Sequence, residues 1–245
     1  MSGRIVSGAR YLLPMESALL LHHLHTGLTA FRACLDGDLS APVAHCGDWT
    51  LLDLAEHLGS ENIWAATAVT EGHGDGGGGG PAPRERAALI RWFEDTSRTL
   101  RTALDTDPAA EAWTFHPPRT VGFWQRRRAL ETLVHRWDAE SALGAARPLD
   151  PELAGEGVAE VFDTMAPRQV ARGRARPPRQ ALRLTATDTG ASWVHGAGVP
   201  AATISAPAEQ LLLLLWGRIP TTSPALHWAG DRETALAVLA GPLTP

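Results

Sequence analysis

Gly122-Phe-Trp-Gln-Arg-Arg-Arg-Ala-Leu-Glu-Thr-Leu-Val-His-Arg-Trp-Asp-Ala-Glu-Ser-Ala-Leu143 is the stretch whose reading decides the fold of this 245-residue chain. It reads as one long helix, with Gly144 as its stop. Trp124, Arg128, Glu131, His135 and Asp138 follow one another at steps of four, three, four and three, so they share a face. Leu130, Leu133, Val134 and Trp137 lie on other faces and can serve as core. A polar face turned to water is common on such a helix. This one carries two metal-competent groups, Glu131 and His135, one turn apart. His57 sits in a similar setting, Leu54-Ala-Glu-His-Leu-Gly59, on an earlier predicted helix. Together the three make a 2-His-1-carboxylate set with an open position, which suits a catalytic divalent metal, zinc first among them. The residues alone leave the alternatives standing: a solvated ion pair, or a satisfied core histidine.

Working outward, three more helices precede this one. Leu21, Leu24, Leu28, Phe31 and Leu35 form an i, i+3, i+4 stripe, with Pro14 suited to a first helical position. Thr50-Leu-Leu-Asp53 resembles a capping box and opens a helix over about 51–69, with Leu51, Leu54, Ala55, Leu58 and Ile63 as its apolar set. A third helix spans about 84–104, with Leu89, Trp92, Phe93, Thr96, Leu100 and Leu104 on one side. Between the second and third lies the glycine run Gly76–Gly80. It lacks the Gly-Lys-Ser/Thr ending of a phosphate loop and reads as a flexible connection. Four long helices predict a four-helix bundle.

The composition shifts near Pro148, and we expect two domains, 1–147 and 148–245. After a helix over 151–161 comes an Arg/Pro-rich segment, 168–179. Ala181-Leu-Arg-Leu-Thr-Ala-Thr187 and Ser192-Trp-Val-His195 alternate at period two, and Ala201–Ser205 is a third short strand candidate. Pro207–Gly217 reads as a leucine-rich helix. The second domain is therefore expected to be α+β, and so is the chain.

With 44% hydrophobic and 20% charged residues the chain is globular. A net charge of -5 argues against nucleic acid as a partner. No signal peptide is visible, and the longest apolar run, Leu211–Trp216, is far short of a membrane span. Two cysteines, Cys34 and Cys46, form no disulfide framework. These features predict a cytoplasmic protein without a membrane partner. Cys34 reads as a core residue, and Cys46 as structural, because no activating base or cation is assignable to it. His22, His23 and His25 read as surface or rim residues, and His45 and His73 as inert. His116 is a candidate for a pocket mouth. His195 and His227 fall in the second domain with no evident partner. Neither Gly-x-Ser-x-Gly nor a dinucleotide fingerprint occurs.

Cys46-Gly-Asp-Trp-Thr-Leu-Leu-Asp-Leu-Ala-Glu-His-Leu-Gly59 and Glu131-Thr-Leu-Val-His-Arg-Trp-Asp-Ala-Glu140 resemble two motif blocks of the maleylpyruvate isomerase family of mycothiol-dependent enzymes, within the DinB/YfiT-like superfamily. Leu211-Leu-Leu-Leu-Leu-Trp-Gly-Arg218 resembles a helix end in that family's C-terminal domain, which is similar to sterol-carrier-protein folds. The resemblance implies a DinB-like bundle followed by that α+β domain. It implies that His57, Glu131 and His135 bind Zn2+ or another divalent metal. It makes Arg218 the candidate for holding a substrate carboxylate, with capping of its own helix as the structural alternative. Asp138 is expected in an interhelix salt bridge rather than behind His135, and Trp124 as a pocket wall. The implied activity uses mycothiol, a low-molecular-weight thiol, against a small-molecule electrophile, in an isomerase of the maleylpyruvate type or an S-transferase. A hydrolase working through zinc-bound water, or a non-catalytic metal- or ligand-binding protein, is the alternative.

Overall fold

The computed structural model describes residues 15–75 and 80–245, which divide into two compact units, Met15–Leu149 and Asp150–Pro245. The expected placement of Pro14, and all of the glycine run except Gly80, lie outside the described residues. The architecture is α+β.

The first unit holds four long helices: α1 (Ser17–Cys34), α2 (Leu51–Thr70), α3 (Arg86–Leu104) and α4 (Val121–Ala142). α1 packs on α4, and α2 packs on both α3 and α4. Leu24, Phe31, Leu54, Leu58, Leu89, Phe93 and Leu100 fill the centre. Phe31 and Phe93 stack with ring centroids 5.0 Å apart. Leu20 rather than Leu21 completes the buried stripe of α1; Leu21 is half-buried. α1 and α4 approach closely at Gly27, where a Cβ would sit 2.9 Å from Thr132 Cγ2. The capping box forms: the Thr50 hydroxyl accepts from the Asp53 N–H, and the Asp53 carboxylate accepts from the Thr50 N–H at 2.9 Å. This sets where α2 begins, and therefore the rotational position of His57 two turns later.

Almost every residue of α4 is buried, and the polar row that carries Glu131, His135 and Asp138 is sealed inside the unit. The helix stops at Gly144, whose φ of +68° places it in the left-handed region that glycine tolerates. The Ala145 N–H bonds to the Glu140 carbonyl and the Gly144 N–H to that of Ser141, which together satisfy the last turn in a Schellman arrangement. The Glu140 carboxylate then gathers Arg136 and Arg147, anchoring the chain where it leaves the bundle.

In the second unit α5 (Pro151–Glu160) starts on an Asp150 cap and runs through a π-helical turn (Val161–Met165) into α6 (Ala166–Ala171). Strands β1 (Ala181–Ala186), β2 (Ser192–His195), β3 (Pro200–Ala206) and β4 (His227–Gly230) form one mixed sheet in the order β2-β1-β3-β4. β1 pairs antiparallel with β2 and parallel with β3, and β3 pairs antiparallel with β4. Between β3 and β4 in the chain lies α7 (Ala208–Leu215), which packs against α5 and the sheet. Leu211 to Leu215 are all buried, as a helix covered on both sides requires. Gly157 permits the α5–α7 approach, since a Cβ there would meet Leu212 Cδ1 at 2.9 Å. β4 and the final helix α8 (Arg232–Leu239) were not expected. β4 is a mostly exposed edge strand without alternation, and α8 buries only Ala235. No helix among the described residues is long and apolar enough to cross a membrane.

Replacing Thr50 by Ala removes one half of the capping box. We expect T50A to lower stability by about 1 kcal/mol in urea unfolding, with Thr50→Ser close to wild type. An unchanged T50A midpoint would show that packing alone sets the start of α2.

Candidate metal centre

α2 and α4 bring the three sequence-predicted donors together. His57 Nε2 lies 3.4 Å and His135 Nε2 3.9 Å from Glu131 Oε1. One ligand atom from each residue falls within 4.8 Å of the others, and this is the one such group of three or more His, Cys, Asp or Glu among the described residues. Tetrahedral donors about 2.0–2.2 Å from zinc are spaced roughly 3.3–3.6 Å apart, so the two donor spacings to Glu131 are close to those a bound divalent ion needs. The two imidazoles stand edge to face, 5.1 Å between centroids. Glu131 and His135 are buried, while the His57 side chain is 29% exposed and marks the open side.

The other oxygen of Glu131 is committed elsewhere. Oε2 accepts from Arg128 Nη1, and Arg127 Nη2 lies 3.2 Å away. Arg128 is fully buried and donates through Nη2 to Asn62 Oδ1 on α2 at 3.0 Å. Burial alone would push the Glu131 carboxyl up, but Arg127 and Arg128 overcome it and hold the group well below the usual carboxylate range. Glu131 is thus an anion whose Oε2 is held by the two arginines and whose Oε1 faces the two histidines. Glu61, one turn beyond His57, moves the other way: burial, and then the Glu131 charge, push its carboxyl up.

Asp138 takes the role behind His135 that the sequence reading ranked second: its Oδ2 lies 3.0 Å from Nδ1 of His135, one turn back on the same helix. A carboxylate behind Nδ1 holds the proton there and leaves the Nε2 lone pair facing the cluster. Burial lowers the His135 pKa against the opposing pull of Asp138 and Glu131, which favours the neutral ring that a metal needs. Trp49 lies over His57 at 5.0 Å. Trp124 does not wall a pocket. It is fully buried among Trp64, Phe115 and Phe123, and its Nε1 donates to the Trp113 carbonyl at 2.6 Å.

Arg218 lies in the other unit, just past α7. It donates to the Trp216 carbonyl at 2.7 Å with its guanidinium 5.6 Å from that ring. His22 and His25 are exposed, and His73 pairs with Glu71 at 3.0 Å. His45 sits 6.3 Å from the Trp137 ring, and His116 is half-buried before the Pro117–Pro118 pair. Cys34 is buried, and its thiol is pushed up to about 11, by burial first and the Glu140 charge second. Cys46 is half-buried with Sγ 3.9 Å from Asp138 Oδ2. The sequence reading missed Arg127, Asn62, Glu61 and Trp49. Arg127 had a signal, standing four residues before Glu131, and Glu61 stands four after His57.

Residues 21–140 match the family model of the mycothiol maleylpyruvate isomerase N-terminal domain, and residues 152–237 match that of the MDMPI C-terminal domain. The crystal structure of the mycothiol-dependent maleylpyruvate isomerase shares the fold with a TM-score of 0.64 at 16% identity, covering 89% of this chain and 95% of that one. A histidine-to-alanine mutant of that isomerase gives 0.65 at 15% identity over the same shares. No curated protein matches the chain.

Two outcomes follow from the geometry. D138N, which removes the carboxylate behind His135, is expected to weaken zinc binding about ten- to a hundredfold in a competitive chelator titration; unchanged affinity would mean that Asp138 does not support His135. Native protein treated with iodoacetamide at pH 8 is expected to carry the label on Cys46 and not on Cys34, read by peptide mass spectrometry. Equal labelling would contradict the sealed environment of Cys34.

Proposed function

The chain belongs to the mycothiol maleylpyruvate isomerase family, and from that premise we propose that it is a metal- and mycothiol-dependent enzyme, an isomerase of the maleylpyruvate type or a related S-transferase. The observation that carries the reading is the donor set itself. Three ligands stand together on two rigid helices, and the second carboxylate oxygen is withheld by arginine. In this reading His57, Glu131 and His135 hold Zn2+ or another divalent ion. Such an ion lowers the pKa of a thiol in its open position and so supplies a thiolate near neutral pH.

The chain's own residues do the remaining work. Arg127 and Arg128 keep Glu131 ionised and hold its Oε2. Asp138 fixes the tautomer and orientation of His135. Trp49 shields one face of His57 from water. The co-substrate thiolate adds to a cis double bond conjugated with a carbonyl, and the electron pair moves onto the carbonyl oxygen. The former double bond rotates as a single bond, and expulsion of the thiolate leaves the trans isomer. No proton is gained or lost overall. In an S-transferase the thiolate displaces a leaving group and the conjugate departs. Arg218 enters through the resemblance alone, as the group that pairs with a substrate carboxylate.

The test is metal content by plasma mass spectrometry on wild type and H135A, with mycothiol binding and turnover of maleylpyruvate followed on both. We expect near-stoichiometric zinc in the wild type, lost in H135A together with thiol binding and activity. A wild type that cannot be reconstituted with any divalent ion sinks the metal reading. Turnover of an ester or amide without added thiol would point instead to a hydrolase. R218Q is expected to raise KM for a carboxylate substrate without altering zinc content, and an unchanged KM would remove Arg218 from the site.

A further inference from the structure

The second unit contains a cavity of about 470 Å³ lined by its own residues. It lies among α6, the segment 175–180, the end of β2, α8 and the last residues of the chain. Its walls are mainly apolar, with Ala166, Val170, Ala237 and Leu243 contributing. Three groups on the lining are basic: Arg176, Arg179 and His195. No Asp or Glu lines it.

These three are not consumed by the fold. Neither Arg176 nor Arg179 makes an ion pair with the described residues. His195 stacks flat on Phe162, with centroids 4.9 Å apart and planes at 15°, which leaves its two ring nitrogens at the edge. Neither nitrogen has a hydrogen-bond partner among the described residues. Partial burial lowers the His195 pKa, so its ring tends to stay neutral and offers a single N–H donor. Gln180 and Thr234 also line the cavity; the Thr234 hydroxyl lies 2.8 Å from Gln180 Oε1 and 2.7 Å from Asp231 Oδ2. A ligand with an anionic head and an apolar body fits this arrangement: the head meets the guanidiniums and the imidazole edge, and the body covers the alanine, valine and leucine surface.

We propose that this cavity is a binding site for a small amphipathic carboxylate, distinct in chemistry from the metal centre of the first unit. Binding here needs neither zinc nor thiol, so it stands or falls separately from the proposed activity.

Octanoate is the probe, with 1-octanol as the uncharged control, by calorimetry on the full chain. Wild type is expected to bind octanoate saturably at one site, and octanol about tenfold more weakly or less. R176Q/R179Q is expected to weaken octanoate by about tenfold or more and leave octanol unchanged. A237W, which puts an indole on the cavity lining, is expected to weaken both, with circular dichroism confirming its fold. H135A tests for capture at the metal centre and is expected to bind octanoate as wild type does. The proposal is overturned if octanoate does not saturate, if R176Q/R179Q and a folded A237W bind it normally, or if H135A alone abolishes binding.

Discussion

The negative charge of Glu131, buried between two helices, is the constraint around which the first unit is arranged. An unpaired carboxylate at that depth would take up a proton or unfold the site. Two arginines from the same helix prevent this, and one of them, Arg128, is itself fully buried. Arg128 in turn reaches Asn62 on α2, so compensation of one charge also docks the helix that carries His57. Removing one partner from a buried pair of this kind costs about 3–5 kcal/mol, because the survivor is left uncompensated. The geometry of the donor set and the packing of α2 on α4 are therefore one problem with one solution. A metal would add a further positive charge on the Oε1 side, completing the neutralisation from the opposite direction.

Much of this was legible in the residues. Thr50 and Asp53 announced the start of α2, and the four- and three-residue steps along α4 placed Glu131, His135 and Asp138 on one face. What periodicity did not carry was the environment of that face. A row containing Arg, Glu, His and Asp looks like a surface, and only the pairing of each with a neighbour allows it to be interior. Asp138 illustrates the difficulty. Its spacing from His135 was visible, but whether a carboxylate faces its own helix or the next one depends on side-chain direction. Arg127 was overlooked because it lies off the strict face, yet a long side chain reaches Glu131 from there.

In the second unit the buried elements were easier to read than the exposed ones. β1, β3 and α7 carry apolar patterns because the core demands them. β4 pairs along one edge and buries little, so nothing in His227-Trp-Ala-Gly230 distinguishes it from a loop. α8 is short and holds itself with an Asp231 cap that accepts from the Glu233 and Thr234 N–H groups. That cap was its only strong local signal. The wide turn after α5 has no periodic signature at all. It precedes Pro167, whose ring cannot donate to the ladder and crowds the preceding turn.

That wide turn sets where the chain can change length. A π-helical turn accommodates one residue more than an α-helical turn of the same reach, and in that sense stores an insertion. Loss of one residue within 161–165 can be absorbed by reversion to ordinary helix, leaving α5 and α6 pointing as they do. The same loss within α5 would rotate everything beyond it by about 100° relative to α7. Natural relatives of this unit should therefore differ by single-residue gaps at this turn and keep the ten positions of α5 ungapped.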